Sequence, residues 1–569
     1  MGDRLNMKNI LLLLGILSLL SCVNPNAKSI QNAGDSNTPS KQMNEAWLQY
    51  ITGDINKSLF PDFSNAGVNF SNKDIPSLAL SIFSVTDYGA MPNDKIEDRK
   101  AIQDTINAAQ KAGGGIIQFP AGRFLINEQP GRQQGLIISQ SNIILRGNNH
   151  SQQPTELFMK YHLAPADPKK KWTVPAMITF QPKYSRLLTS NSNKRQYLSI
   201  TTITEDSPLK SKYVTVADIS DIQVGDMVTI EMENIAANDE FLHQKPTREI
   251  WERINTKGVM VAENHQIKEI IGNRLYFEQP TLTNIKASYG WKIGTVPSIS
   301  NVGMENINFT GNFIEQFSHH KNYIHDSGYT AVKLIRTKHS WIKNNHFVNV
   351  SNAASVEGGL ANSVLLNTIE GNGGHSSFSV TFGTRNLIGL NIDNTEQGQW
   401  HGPGASHLSV GNVIWRFNSP TSRGIDAHAL FPRHTLFDSI TSNGFGGWGG
   451  NYKNLPNHLE GLIIWNFKQT GGVISRDNID TLDFWQLPKD DQNKYGFLTA
   501  VNPVIVGYQG SATHVNLQNL SYLGSLNVPV KPSSLFESQL KHRLGKTPVW
   551  FTSLLNDWQV LKINHLPRQ

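Results

Sequence analysis

Between Trp341 and Ile464 one short pattern of alternating apolar and polar side chains, often with an Asn, returns six times. The copies are WIKNNHF from Trp341, VLLNTI from Val364, LIGLNI from Leu387, LSVGNVI from Leu408, LFDSI from Leu436 and LEGLII from Leu459. Their starts lie 23, 23, 21, 28 and 23 residues apart. That interval is shorter than helical repeats or propeller blades and fits one coil of a parallel β-solenoid. A single coil cannot bury its own apolar side, so the chain is expected to wind as one long body with insertions, whatever its length suggests about domain number. The 46 glycines and the abundant Asn suit short strands joined by tight turns that need positive φ.

The N-terminus reads as an export signal. Arg4 and Lys8 precede an apolar run from Ile10 to Leu20 that is too short to be a confident membrane span. Leu19-Leu20-Ser21-Cys22 resembles the bacterial lipoprotein cleavage box, which implies acylation of Cys22 and anchoring to a bacterial membrane, at the outer membrane or cell surface. The alternative is an ordinary secretory signal. Cys22 is the sole cysteine, so intrachain disulfides are excluded. Loss of residues 1–21 removes two basic side chains and one acidic one, leaving a mildly basic protein that suits an acidic polymer. No dense basic run points to nucleic acid.

The expected layout is a signal over residues 1–21, a tether and weakly helical lead-in over 22–57, a cap with the first coils over 58–212, and an inserted small β-domain over 213–300. The main coils follow over 301–530 and a C-terminal segment over 531–569, with a short helix from Ser533 to Gly545. The segment FSVTDYGAMPNDKIEDRKAIQDTINAAQKAGGGIIQFPAGRFLI reads as strand, turn, amphipathic helix with Ala101, Ile102, Ile106 and Ala109 on one face, glycine stop and strand. Its D-Y-G-A, A-I-Q-x-x-I-x-A-A, G-G-G and F-P-x-G-x-F blocks resemble the opening of pectate-lyase-like proteins. The resemblance implies an all-β, right-handed parallel β-helix whose open end is capped by the helix. The turn departs from that family's usual G-D-G-x-T-D-D, with Asn93-Asp94-Lys95 and Glu97-Asp98-Arg99 in its place, a change expected to touch the cap alone.

Eleven of the eighteen histidines lie between His319 and His458, inside the repeat region. Solenoid enzymes place their sites on one outward face, where loops of successive coils lie side by side. The candidate catalytic residues are His375, His401, Arg423, Asp426, His428, Arg433 and His434, and the candidate substrate-binding residues are His320, Tyr329, His407, Trp448, Tyr452 and Lys453. Asp426 and His428 are two apart and would share a strand face, so the carboxylate could orient the imidazole. The 28-residue interval around SRGIDAHALFPRH predicts an extra loop of about five residues on the active face. Trp400 and Trp448 suit stacking on sugar rings, whereas Trp415 and Trp465 sit at strand positions.

A lyase acting on a uronate must neutralise the carboxylate, remove the C5 proton and protonate the leaving oxygen, tasks that suit Arg, His, Lys and Tyr. A glycosidase needs two facing carboxyl groups. The acids available are Glu357, Glu370, Asp393, Glu396, Asp426 and Asp438, with no paired Asp-Asp motif. The expectation is a polysaccharide lyase cleaving an acidic polymer by β-elimination. The alternatives are a polygalacturonase-like hydrolase and a non-catalytic glycan-binding β-helix. No cofactor is certain: calcium is the metal the resemblance favours, and zinc on Asp426, His428 and His434 is the rival. The metal residues stay open, and a capped solenoid is expected to be monomeric.

Overall fold

The computed structural model describes residues 44–53, 58–148, 153–183, 197–421, 424–446, 449–471, 481–485, 499–510 and 514–566. The expected signal, Cys22 and the tether lie outside them, as do Arg423 and Trp448.

The repeated pattern is a corner of the coil. Trp341–Lys343 runs in one sheet, Asn344 turns the chain at φ 57°, and His346–Val348 continues in a second sheet. The next coils repeat the step from Ser363–Leu365 to Thr368–Glu370 and from Leu387–Gly389 to Ile392–Asp393. A third strand then closes each coil, giving three parallel sheets of twelve, nine and seven strands. The molecule is a right-handed parallel β-helix, the hand that parallel crossover connections take.

The recurrent Asn has a second purpose at these corners. The backbone N–H of Asn345 donates to Oδ1 of Asn367 at 3.0 Å, and that of Asn367 donates to Oδ1 of Asn391 at 2.8 Å. A parallel column runs from Ser340 through Asn362 and Asn386 to Asn412. All of these side chains are buried. Each amide both accepts and donates along the solenoid axis, so the bends carry their polar groups inward without leaving them unpaired.

At the N-terminal end the helix Arg99–Lys111 lays Ile102, Ile106 and Ala109 on the core, with Ala101 packed beside them. The departures from the family's turn do act in the cap: the Asp98 carboxylate accepts from the backbone N–H groups of Met91 and Leu125.

The inserted β-domain is a six-stranded antiparallel sheet running from Ser199–Thr202 to Lys292–Thr295, so it begins ahead of Tyr213. Its buried side chains, Trp251 and Trp291 among them, pack onto Leu408, Leu430 and Phe431 of the solenoid. These residues lie beside the last strands of the seven-stranded sheet, so the insertion forms a wall along that side.

The C-terminus contains the helix Leu535–Leu544, as expected, and a second helix, Val549–His565. Together with Trp47, Tyr50 and Phe60 they cover the outer side of the twelve-stranded sheet, burying Val413, Trp415, Leu436 and Trp465. Trp415 stacks on Phe551 with centroids 5.3 Å apart. One outward face of the solenoid is thereby closed.

Strand pairing also corrects the reading of the long interval. Leu387 pairs with Val413, Val413 with Leu436 and Leu436 with Ile463, giving coils of 26, 23 and 27 residues. Leu408 precedes its strand and is out of register. The coil carrying Asp426 and His428 therefore has no extra loop. The added residues belong to the coil before it, with QWHGPGASH, and the coil after it, with GFGGWGGNYKN.

Candidate functional site

The seven-stranded sheet includes Thr330–Ile335, Asn352–Glu357, Ser376–Thr381, Gly404–Ser406 and Asp426–His428. Pairing puts Lys333, Ser355, Ser379, Gly404 and Asp426 in one row, and Glu357, Thr381, Ser406 and His428 in another. Between the rows run Leu334, Val356, Val380 and Ala405, which are buried. The outward face is thus a polar floor along the solenoid axis. It leads from the Lys333–Glu357 ion pair at 2.8 Å to a histidine cluster at the far end.

In that cluster Asp426 lies between two imidazoles. Its Oδ2 is 3.2 Å from Nδ1 of His401 and 3.3 Å from Nδ1 of His428. The His401 contact is close but not aligned as a hydrogen bond, and Oδ1 of Asp426 has no hydrogen-bond partner among the described residues. His375 follows, its ring 4.9 Å from that of His401 and its Nε2 buried and without a hydrogen-bond partner among the described residues. His319 lies 5.6 Å from His375 and 5.7 Å from His401, and it stacks on Trp400 at 4.5 Å. His407 stacks 6.2 Å from His428 and shares a hydrogen bond with the Ser406 hydroxyl.

Burial and mutual charge set the protonation states. Burial opposes charge on Asp426, but the His428 and His401 imidazoles outweigh it and hold the carboxyl well below the usual carboxylate range. Burial alone would lower His428, and the Asp426 carboxylate reverses that and raises it. His375 is driven far down by burial and by the neighbouring imidazoles, and His407 is pushed down to about 4 by burial and His428.

Gly449 and Gly450 of the following coil lie against this end, beside His428 and Ala429. The Gly449 N-terminal neighbours lie outside the described residues, but Gly449 itself presses on His428 so closely that a Cβ would stand 2.3 Å from Cε1 and Nδ1 of the ring. Here glycine permits a close backbone approach.

Several expected site residues stand elsewhere. Arg433 is buried and donates to Glu263 of the insertion at 3.1 Å and to the Leu282 carbonyl at 3.2 Å, so it anchors the insertion. His434 is buried beside Glu460, 3.7 Å away, and burial pushes it down to about 4; it does not join Asp426 and His428, so the rival zinc triad weighed from sequence is not assembled. Tyr329 belongs to the solenoid core with Phe313, where burial pushes its phenol up to about 12. Lys453 pairs with Glu252 and Tyr452 packs on the insertion's apolar cluster, so both contact the insertion. His320, turned by a φ of 60°, is exposed yet stays with the cluster, its ring 3.6 Å from His319 and 6.3 Å from His375, with Nδ1 3.0 Å from Asp326.

The other acids are dispersed too. Glu370 holds His346 and the His565 of the C-terminal helix. Asp393 and Asp438 are buried and pushed up to about 6 by burial. His319 is the cluster member that sequence reasoning passed over in favour of its neighbour His320. The signal was there in the doubled His, but alternation alone cannot choose between adjacent residues at a turn.

A domain family described as a domain of unknown function (DUF4955) matches residues 398–554, which include His401, Asp426 and His428. Two curated proteins of Azotobacter vinelandii share short stretches with the chain. Alginate lyase 7 is 37% identical over 65 residues, 11% of this chain and 8% of the relative. Mannuronan C5-epimerase AlgE1 is 32% identical over 68 residues, 12% of this chain and 5% of the relative. The chain thus spans under a tenth of the length of either. Among solved structures, the A-module of the A. vinelandii epimerase AlgE6 aligns over 79% of this chain and 94% of its own, at 11% identity and a TM-score of 0.38. An exopolygalacturonase from Thermotoga maritima aligns over 83% and 96%, at 13% identity and 0.32. The chain resembles right-handed parallel β-helix proteins. The likeness to these structures is one of fold.

Proposed function

We propose that this β-helix protein is a carbohydrate-active enzyme that cleaves a uronate-containing polysaccharide by β-elimination on the outward face of its seven-stranded sheet. The observation that carries the reading is the Asp426 carboxylate held between His401 and His428, with no second acid in its strand row among the described residues. Glu357, the other acid on the floor, is three strand spacings from His428, about 14 Å, beyond the roughly 5 to 9.5 Å that glycosidase carboxyl pairs span. The local likeness to an alginate lyase and to mannuronan epimerases supports a uronate as the sugar.

In this reading His428, made more basic by Asp426, takes the C5 proton. The electron pair of that C–H bond forms the C4–C5 double bond as the bond from C4 to the glycosidic oxygen breaks, and the leaving oxygen takes a proton from solvent on the open face. A base with a pKa raised toward neutrality is suited to such a transfer. Trp400 and His407 bound the cluster where neighbouring sugar rings would pass. The decisive assay is ultraviolet absorbance of unsaturated uronate ends on alginate and pectate, run beside a reducing-end assay. New absorbance that Asp426→Asn lowers by about a hundredfold or more supports the reading. Reducing ends without absorbance would overturn it in favour of hydrolysis, and neither signal would favour a glycan-binding protein. Anchoring at a bacterial surface through Cys22 belongs to the same proposal.

A further inference from the structure

The seven strands of the floor contain one Lys or Arg, Lys333, and it is paired with Glu357. Of the two arginines expected at the site, Arg423 lies outside the described residues and Arg433 is buried against Glu263. The histidine cluster, by contrast, has unmet polar capacity. His319, His375 and His401 each bring a ring nitrogen to within 4.8 Å of the others, with no acid in the set, and Nε2 of His375 is buried with no hydrogen-bond partner among the described residues. Leaving such an atom unpaired costs on the order of 1 to 3 kcal/mol.

From this geometry we infer that His319, His375 and His401 form a binding site for one zinc-class divalent transition metal ion. Zinc binds His nitrogens at roughly 2.0 to 2.1 Å, and three imidazoles around a tetrahedral ion then have centroids about 5.2 Å apart. The observed separations are 4.9, 5.6 and 5.7 Å, so small ring rotations bring the nitrogens onto an ion. Three His with an open fourth position is a catalytic rather than a structural ligand set, and imidazole selects zinc and its neighbours over calcium. Two features hold the rings in place. Trp400 stacks on His319 at an interplanar angle of 13°, and the Asp426 carboxylate lies 3.2 Å from Nδ1 of His401, as the carboxylates behind metal-binding histidines do. In the alternative set of His401, Asp426 and His428, one Asp426 oxygen already lies 3.2 and 3.3 Å from the two imidazoles. On the uronate reading above, on which this clause alone rests, the ion's open position takes the sugar carboxylate and supplies positive charge opposite it.

The test is metal binding by the full chain, independent of turnover. Chelator-treated protein is titrated calorimetrically with zinc chloride, and its Co2+ form is examined by visible absorption. The expected result is one ion per chain with tetrahedral Co2+ bands. His375→Gln and His401→Gln should weaken affinity at least a hundredfold, and Asp426→Asn roughly ten- to a hundredfold, while His162→Gln, away from the set, changes nothing. Circular dichroism checks that each variant is folded. Absence of stoichiometric binding by the unmodified protein overturns the site, whatever the variants do. So does a loss of affinity confined to Asp426 and His428 substitutions, or binding indifferent to His375 and His401. Zinc bound at the triad in a protein that makes no unsaturated uronate would refute the lyase reading and leave the metal site standing. Unsaturated product from protein that binds no metal would do the reverse.

Discussion

Arg433 separates a catalytic from an architectural reading of the same residue. Its guanidinium donates to Glu263 at 3.1 Å and to the Leu282 carbonyl at 3.2 Å, and both charged side chains are at most 1% exposed. Glu263 also accepts from the Leu282 N–H and the Thr283 hydroxyl and meets His265 at 3.1 Å, so its negative charge is stabilised from several sides. Arg433→Met removes one charge-assisted hydrogen bond, about 1.5 to 3 kcal/mol, and one ordinary bond, about 0.5 to 1.5 kcal/mol. The sum agrees with the roughly 3 to 5 kcal/mol lost when one partner of a buried ion pair is deleted. Urea unfolding followed by tryptophan fluorescence should show that loss, with Trp251 and Trp291 reporting on the insertion. Glu263→Gln added to Arg433→Met should recover part of it, because no unpaired charge then remains buried. Turnover of the folded single variant, assayed well below its transition, should stay within about threefold of the parent, since Arg433 touches no part of the histidine cluster. A fall of orders of magnitude in turnover with an unchanged unfolding midpoint would refute the assignment and restore Arg433 to the active site.

Three further outcomes follow from other parts of the fold. Asn367→Ala leaves the Asn345 N–H and the Ile342 carbonyl without their partners inside the corner ladder, and should destabilise the solenoid by about 2 to 5 kcal/mol in chemical denaturation; a cost below about 0.5 kcal/mol would show that the ladder does not stabilise the bends. Gly449→Ala places a Cβ against the His428 ring and should lower turnover about a hundredfold with little change in unfolding midpoint; unchanged turnover would remove His428 from the reaction. Acid titration should lower stability as pH falls below 6.5. Burial pushes His458 down to about 3 and His339 to about 4, so the unfolded chain takes up protons that the folded one refuses, and the stability present above pH 6.5 is lost toward pH 4. Asp393 and Asp438, pushed up to about 6 by burial, act in the opposite sense between pH 6 and 4, where the folded state holds the extra protons. Replacing both with Asn should therefore steepen the acid loss, and a shallower curve would contradict these assignments.

The winding of the chain was legible in the sequence because a solenoid is built from local repetition. Each coil makes nearly the same contacts, so WIKNNHF and its successors recur along the chain as they do along the axis. The capping helix was legible for the same reason, its apolar face being a property of consecutive residues. So was the concentration of histidines at one part of the solenoid, and with it the pairing of Asp426 with His428, which needs only the alternation of a strand. What tertiary structure alone decided is which side chains of neighbouring coils share a face and which face is left open. Register is set by hydrogen bonds between coils, so Leu408 resembled a strand start and yet lies before one, and the apparent extra loop moved to the coils on either side. A left-handed turn at His320 leaves that ring exposed beside His319, and it is His319 that stacks on Trp400 near His375. Arg433 and Tyr329 have the chemistry of a site, but a partner from the insertion and the packing of the core claimed them. The C-terminal helices closed the outer side of the twelve-stranded sheet, leaving the row that ends at His428 as the polar floor. These are contacts between residues distant in sequence, and local pattern does not encode them.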